Sequence, residues 1–186
     1  MRARWHRSGL TIALGLTALA LTAPLATAEQ VPWGTGCMPT PEGAARTSAN
    51  CGADLSNGLA TAPPGAPTAV KQAIAAANQI RGRPYVWGGG HASFLSRGYD
   101  CSGAVSYVLH AAGLLDSTMV SGQLAYWGEG GLGRWITVYA NDQHVFMVIA
   151  GLRFDTRDDP EGVNGPRWKR AWADAKHFSA RHPAGL

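Results

Sequence analysis

Gly98-Tyr99-Asp100-Cys101-Ser102-Gly103-Ala104-Val105-Ser106-Tyr107-Val108-Leu109, residues 98–109, opens a helix that carries a cysteine in its first turn. Val105, Val108, Leu109 and Ala112 keep the 3.6-residue period, and Gly113 ends it. Asp100 is a good N-cap, because its carboxylate accepts the free amides of the first turn. Downstream, Trp135-Ile136-Thr137-Val138-Tyr139 reads as a strand and Asn141-Asp142 as a turn. His144-Val145-Phe146-Met147-Val148-Ile149-Ala150 reads as a buried strand, which Gly151 reverses into Leu152-Arg153-Phe154-Asp155. Upstream, a helix capped by Thr68 runs through Val70, Ile74, Ala77 and Ile80 and stops at Gly82. Helices followed by an antiparallel sheet specify an α+β domain.

The chain has 186 residues, 46% of them apolar, which suits one domain and excludes wholesale disorder. Its net charge of +4 suggests nucleic acid until residues 1–28 are set aside. Arg2, Arg4 and Arg7, an apolar run from Leu10 to Leu21, and Ala26-Thr27-Ala28 read as a secretory signal cleaved before Glu29. The alternative is a membrane anchor, since the uncharged stretch from Ser8 to Ala28 just reaches the roughly 18 residues a span needs, with Pro24 against it. Cleavage removes three of the 16 basic residues and none of the 12 acidic ones, leaving +1. The nucleic-acid footprint goes with the signal. So does stable membrane insertion.

An exported chain has its cysteines counted in pairs. Cys37 and Cys51 share a polar, Gly/Pro-rich stretch and make one disulfide, which leaves Cys101 over. A buried inert thiol or an intermolecular bridge are the bland readings of an odd cysteine. No Cys-x-x-Cys spacing supports zinc, so no metal is expected. Residues 29–67 read as a loop-rich extension ending at Pro63-Pro64-Gly65, and 68–186 as the globular domain. The chain is taken to act as a monomer.

A thiol attacks as the thiolate, and a free cysteine pKa of about 8.5 leaves little of it at neutral pH. A helix start and a nearby imidazole both favour the charged form. Of the five histidines after residue 28, His110 lies inside a helix, and His177 and His182 lie in a polar tail. His91 follows Gly88-Gly89-Gly90 in a loop that can line a cleft. His144 opens the most apolar strand, a rigid place for a general base. A third group should orient the ring. With a hairpin turn at Ala150-Gly151 or Gly151-Leu152, even residues before it share a face with odd residues after it. His144 and Asp155 then point the same way. The competing role for Asp155 is a surface pair with Arg153 or Arg157.

Gly82-Arg83-Pro84-Tyr85-Val86-Trp87-Gly88-Gly89, followed by Gly98-Tyr99-Asp100-Cys101-Ser102-Gly103, resembles the signature of the NlpC-type cysteine peptidases. The resemblance covers roughly residues 68–156, about half the chain. It implies a papain-like fold with the nucleophile helix packed on a small antiparallel sheet. It implies a Cys–His–polar triad without a cofactor, and hydrolysis of the D-γ-glutamyl–diamino-acid bond in peptidoglycan stem peptides. Cys101 would be the nucleophile and His144 the base. Tyr85 would line the nucleophile's pocket and help hold the oxyanion, while Trp87 packs in the core. Asp100 and Ser102 would face the stem peptide, where a carboxylate meets a free amine. A secreted or wall-associated location follows from that substrate.

This chain departs from the family at the third position. His, Asn or Gln is usual there, and the candidates here are Asp155, with the better chemistry, and Thr156, with the better spacing. The extension resembles no usual wall-binding repeat, and the tail after residue 156 carries no usable motif. Two other functions compete: a binding module with an inert cleft, and an amidase or acyltransferase on the same fold. A pure binder has no need of a free thiol outside the cell, whereas an acyl-enzyme can be resolved by water or by an amine.

Overall fold

The computed structural model describes residues 52–157, 164–170 and 174–186. The signal-like segment and the Cys37–Cys51 pairing lie outside the described residues. Among those described, no helix is long and apolar enough to cross a membrane.

A short hairpin, β1 (Asp54–Ser56) and β2 (Leu59–Thr61), comes first. The loop-rich reading of this stretch is corrected here. Asn57 and Gly58 both take positive φ, 51° and 73°, which is the two-residue turn that suits the right-handed twist of a hairpin. The hairpin is docked as well as folded. Asn78 of helix α1 (Thr68–Ile80) bonds both the amide and the carbonyl of Ala60, at 3.0 and 2.8 Å. The Ala53 amide reaches the Ala150 carbonyl at 2.8 Å.

Helix α1 buries Val70, Ala73, Ile74, Ala77 and Ile80, the stripe its periodicity predicts. Its N-cap is Pro67 and makes no side-chain cap bond, so Thr68 is the first helical residue rather than the cap. Helix α2 (Cys101–Ala111) starts where Asp100 accepts the Gly103 amide at 2.7 Å. It ends in a left-handed Gly113, φ 70°, with the Gly113 and Leu114 amides bonded to the His110 and Leu109 carbonyls. Gly103 has a further reason to be glycine. A Cβ there would stand 1.9 Å from the Gly89 carbonyl oxygen. The glycine-rich loop therefore presses its backbone directly onto the first turn of α2.

A four-residue helix α3 (Ser121–Leu124) and β3 (Glu129–Gly130) lead into the main sheet. β4 (Ile136–Ala140), β5 (Val145–Ile149) and β6 (Leu152–Asp155) follow as a meander, each buried along its whole length. Ala150 and Gly151, φ 46° and 82°, form the tight turn between β5 and β6 and pair Ile149 with Leu152. The tail then contributes β7 (Arg167–Lys169) and β8 (Ser179–His182). The six strands lie in the order β3-β8-β4-β5-β6-β7, all antiparallel.

The two faces of β5 explain why this strand reads as a continuous apolar run. Val145, Met147 and Ile149 join the main core beneath α1 and α2. Phe146 and Val148 join a smaller cluster on the opposite face with Tyr139, Phe178 and Ala180. The chain is thus a mixed helix and sheet fold with antiparallel strands, and α2 packs on β5.

Candidate active site

Cys101 sits at the first position of α2, partly exposed. Three backbone links hold the chain just before it. The Tyr99 amide bonds the Pro84 carbonyl at 3.1 Å, the Val86 amide bonds the Tyr99 carbonyl at 3.3 Å, and the Asp100 amide bonds the Gly89 carbonyl at 3.2 Å.

His144 stands at the mouth of β5. The Asn141 side-chain oxygen accepts the amides of Gln143 and His144, both at 2.9 Å, and the Asn141 amide returns to the His144 carbonyl at 3.0 Å. The loop that carries the imidazole is closed on itself. His144 is 4% exposed, with Phe178 edge-on to its ring at 6.3 Å between centroids.

The imidazole Nε2 lies 2.9 Å from Asp155 Oδ1. The pairing of Met147 with Phe154 and Ile149 with Leu152 puts His144 and Asp155 on one face, as the turn geometry requires. Asp155 also receives the Arg157 amide on Oδ1 at 3.0 Å and the Arg153 guanidinium on Oδ2 at 2.8 and 2.6 Å. The two roles weighed for this carboxylate, partner of a histidine and partner of an arginine, are both filled by it. Thr156 makes no such contact. Its Oγ1 is buried without a hydrogen-bond partner.

With Nε2 on Asp155, Nδ1 is the ring nitrogen left for the thiol. Burial pushes the His144 pKa down, but hydrogen bonding to Asp155 and Cys101 and the charges of both outweigh it, so the net shift is upward. Burial pushes Asp155 up, and its bonds and charge pairing with His144, then Arg153 and the Arg157 amide, bring it below the usual carboxylate value. The pair favours imidazolium beside carboxylate.

A cleft of about 400 Å³ opens over Cys101 and is also lined by Trp87, His91, Asp100, Ser102 and Arg157. Tyr85 stands close by, and its phenol is kept protonated by burial, then by charge at Cys101 and Asp100, against a smaller opposing effect of Arg157. Trp87 corrects the expectation that it packs in the core: it is 88% exposed, at the cleft rim.

Asp100 and Ser102 both border the cleft. Asp100 Oδ1 takes the Gly103 amide, His91 Nε2 at 3.0 Å and the Ser102 hydroxyl at 3.3 Å, and Oδ2 takes the Gly88 amide at 3.0 Å. Three of these donors converge on Oδ1 and one on Oδ2, so Oδ2 keeps a lone-pair site. The bond from Asp100 to His91 is the contact that sequence reasoning missed. Only the placing of His91 after three glycines pointed at it. His110 is a structural histidine, stacked on Phe94 at 3.8 Å and donating from Nδ1 to the Leu115 carbonyl.

Among the solved structures that resemble the chain are two from Mycobacterium tuberculosis. One is the peptidoglycan hydrolase RipB from Mycobacterium tuberculosis, at 22% identity and a TM-score of 0.47. The other is Rv1477, described as a hypothetical invasion protein of Mycobacterium tuberculosis, at 22% identity and a TM-score of 0.46. Each alignment covers 61% of this chain, and they span 64% and 61% of the two structures, short of two thirds of either. No protein-family model and no curated protein sequence matches the chain.

Proposed function

We propose that this chain is an exported NlpC-type, papain-like cysteine peptidase that hydrolyses the D-γ-glutamyl–diamino-acid bond of peptidoglycan stem peptides. The observation that carries the reading is the 2.9 Å contact of His144 with buried Asp155, together with a partly exposed thiol at a helix start on an open cleft, whose charge is among the causes that raise the His144 pKa. Export rests on residues 1–28, and the stem-peptide bond rests on the resemblance carried by residues 82–89 and 98–103.

In this mechanism His144 Nδ1 takes the Cys101 proton, and the thiolate attacks the scissile carbonyl carbon. The oxyanion that forms is met by the Cys101 amide at the helix start, with the neutral Tyr85 phenol as the second donor. The imidazolium returns its proton to the leaving amine as the C–N bond breaks, which leaves a thioester on Cys101. Water, deprotonated by His144, attacks that thioester, releases the carboxylate product and restores the thiol. Asp155 fixes the ring and stabilises the imidazolium without taking the proton.

Muropeptides incubated with the chain lacking residues 1–28 should yield fragments whose masses place the cut after the glutamyl residue, and Cys101→Ala should yield none. Intact muropeptides after prolonged incubation, or an aminated rather than hydrolysed product, would overturn this reading.

A further inference from the structure

We infer that Arg157 is a specificity-determining residue that binds a carboxylate carried by the substrate within one residue of the scissile amide. The inference deepens the proposed function and rests on it for the substrate class.

Arg153 and Asp155 lie at alternate positions of β6, and Arg157 follows two residues beyond Asp155, in the bend that ends the strand. The two arginines are used differently. Arg153 is 5% exposed and spends its guanidinium on Asp155. Arg157 is exposed, lines the cleft together with Cys101, and among the described residues has no carboxylate partner. Among the described residues its backbone amide is committed to the same Asp155 oxygen that holds His144. That bond ties the position of Arg157 to the reacting groups. Its charge is felt by the Tyr85 phenol, which also feels Cys101, so the guanidinium stands near the reacting end of the cleft.

Such a guanidinium binds a planar anion by two parallel hydrogen bonds. A γ-linked glutamyl residue leaves its α-carboxylate free beside the scissile amide. The diamino acid on the other side of that bond carries carboxylates too. Both supply the same chemistry to Arg157, and amidating them one at a time separates them.

The test compares three synthetic stem tripeptides: both carboxylates free, the glutamyl α-carboxylate amidated, and the diamino-acid carboxylates amidated. The unmodified enzyme should lose roughly 10- to 100-fold in kcat/KM on amidation at the position Arg157 holds. Arg157→Gln should bring that ratio to near one, and Arg157→Lys should restore part of it. If Arg157→Gln slows all three peptides alike, the guanidinium serves the thiolate or oxyanion instead and the inference fails. It also fails if the unmodified enzyme does not discriminate among them. If no peptide is cleaved, the proposed function fails, and calorimetric binding to Cys101→Ala decides the inference separately. Carboxylate-dependent binding that Arg157→Gln removes would uphold it; equal or absent binding would overturn it.

Discussion

Alanine at His144 is expected to reduce turnover by at least roughly 10³-fold, the upper range for removal of a general base. The neighbouring groups cannot replace it. Asp155 is held by His144, Arg153 and the Arg157 amide, and His91 has its Nε2 on Asp100 and Ser102. Without the imidazole the thiol keeps only the helix start to favour its charged form, and the leaving amine loses its proton donor. Thr156→Val is the matched control, because the buried Thr156 hydroxyl has no hydrogen-bond partner. It should keep full activity. Activity of His144→Ala within tenfold of the unmodified enzyme, measured on the same muropeptide, would remove His144 from the base position.

Asp155→Asn should cost less in rate and more in stability. Converting the orienting aspartate of a related triad to asparagine costs roughly 10⁴ in rate. A thiolate–imidazolium pair is already charged before attack, so roughly 10² is expected here. The pH profile should move as well. Asp155 acts to raise the His144 pKa, through its hydrogen bond and its charge. Loss of the charge lowers that pKa, so the imidazolium deprotonates earlier and the alkaline limb shifts to lower pH. Buried Arg153 loses its ion pair with Asp155 in the same variant. Breaking a buried pair by removing one partner costs about 3 kcal/mol or more, which a thermal melt reads separately from the rate on folded protein. An unshifted alkaline limb would deny Asp155 its influence on the imidazole.

The parts of this site that were legible in the sequence are those set by local rules. Asp100 caps α2 because its side chain reaches an amide three residues on, and Cys101 follows into the first turn. His144 and Asp155 meet because a two-residue turn fixes parity across a hairpin. What stayed hidden depends on distant pairing. β8 is four residues long, contains Arg181 and His182, and lies between β3 and β4, far from its sequence neighbours. Its period-2 signal is too short to read. The β1–β2 hairpin carried a usable signal in Asn57-Gly58, outweighed by the Pro- and Gly-rich composition around it. Trp87 was misplaced because an aromatic residue between apolar neighbours reads as core, and only the surrounding backbone turns it to the cleft rim.

Alkylation of the thiol tests most directly whether Cys101 and His144 act as one nucleophilic unit. Iodoacetamide at mildly acidic pH, followed by peptide mass mapping, should label Cys101 rapidly in the unmodified enzyme. In His144→Ala the labelling should slow to the rate of an ordinary cysteine at that pH. Equal labelling rates in the two proteins, or no labelling of Cys101 until the fold is denatured, would contradict the account.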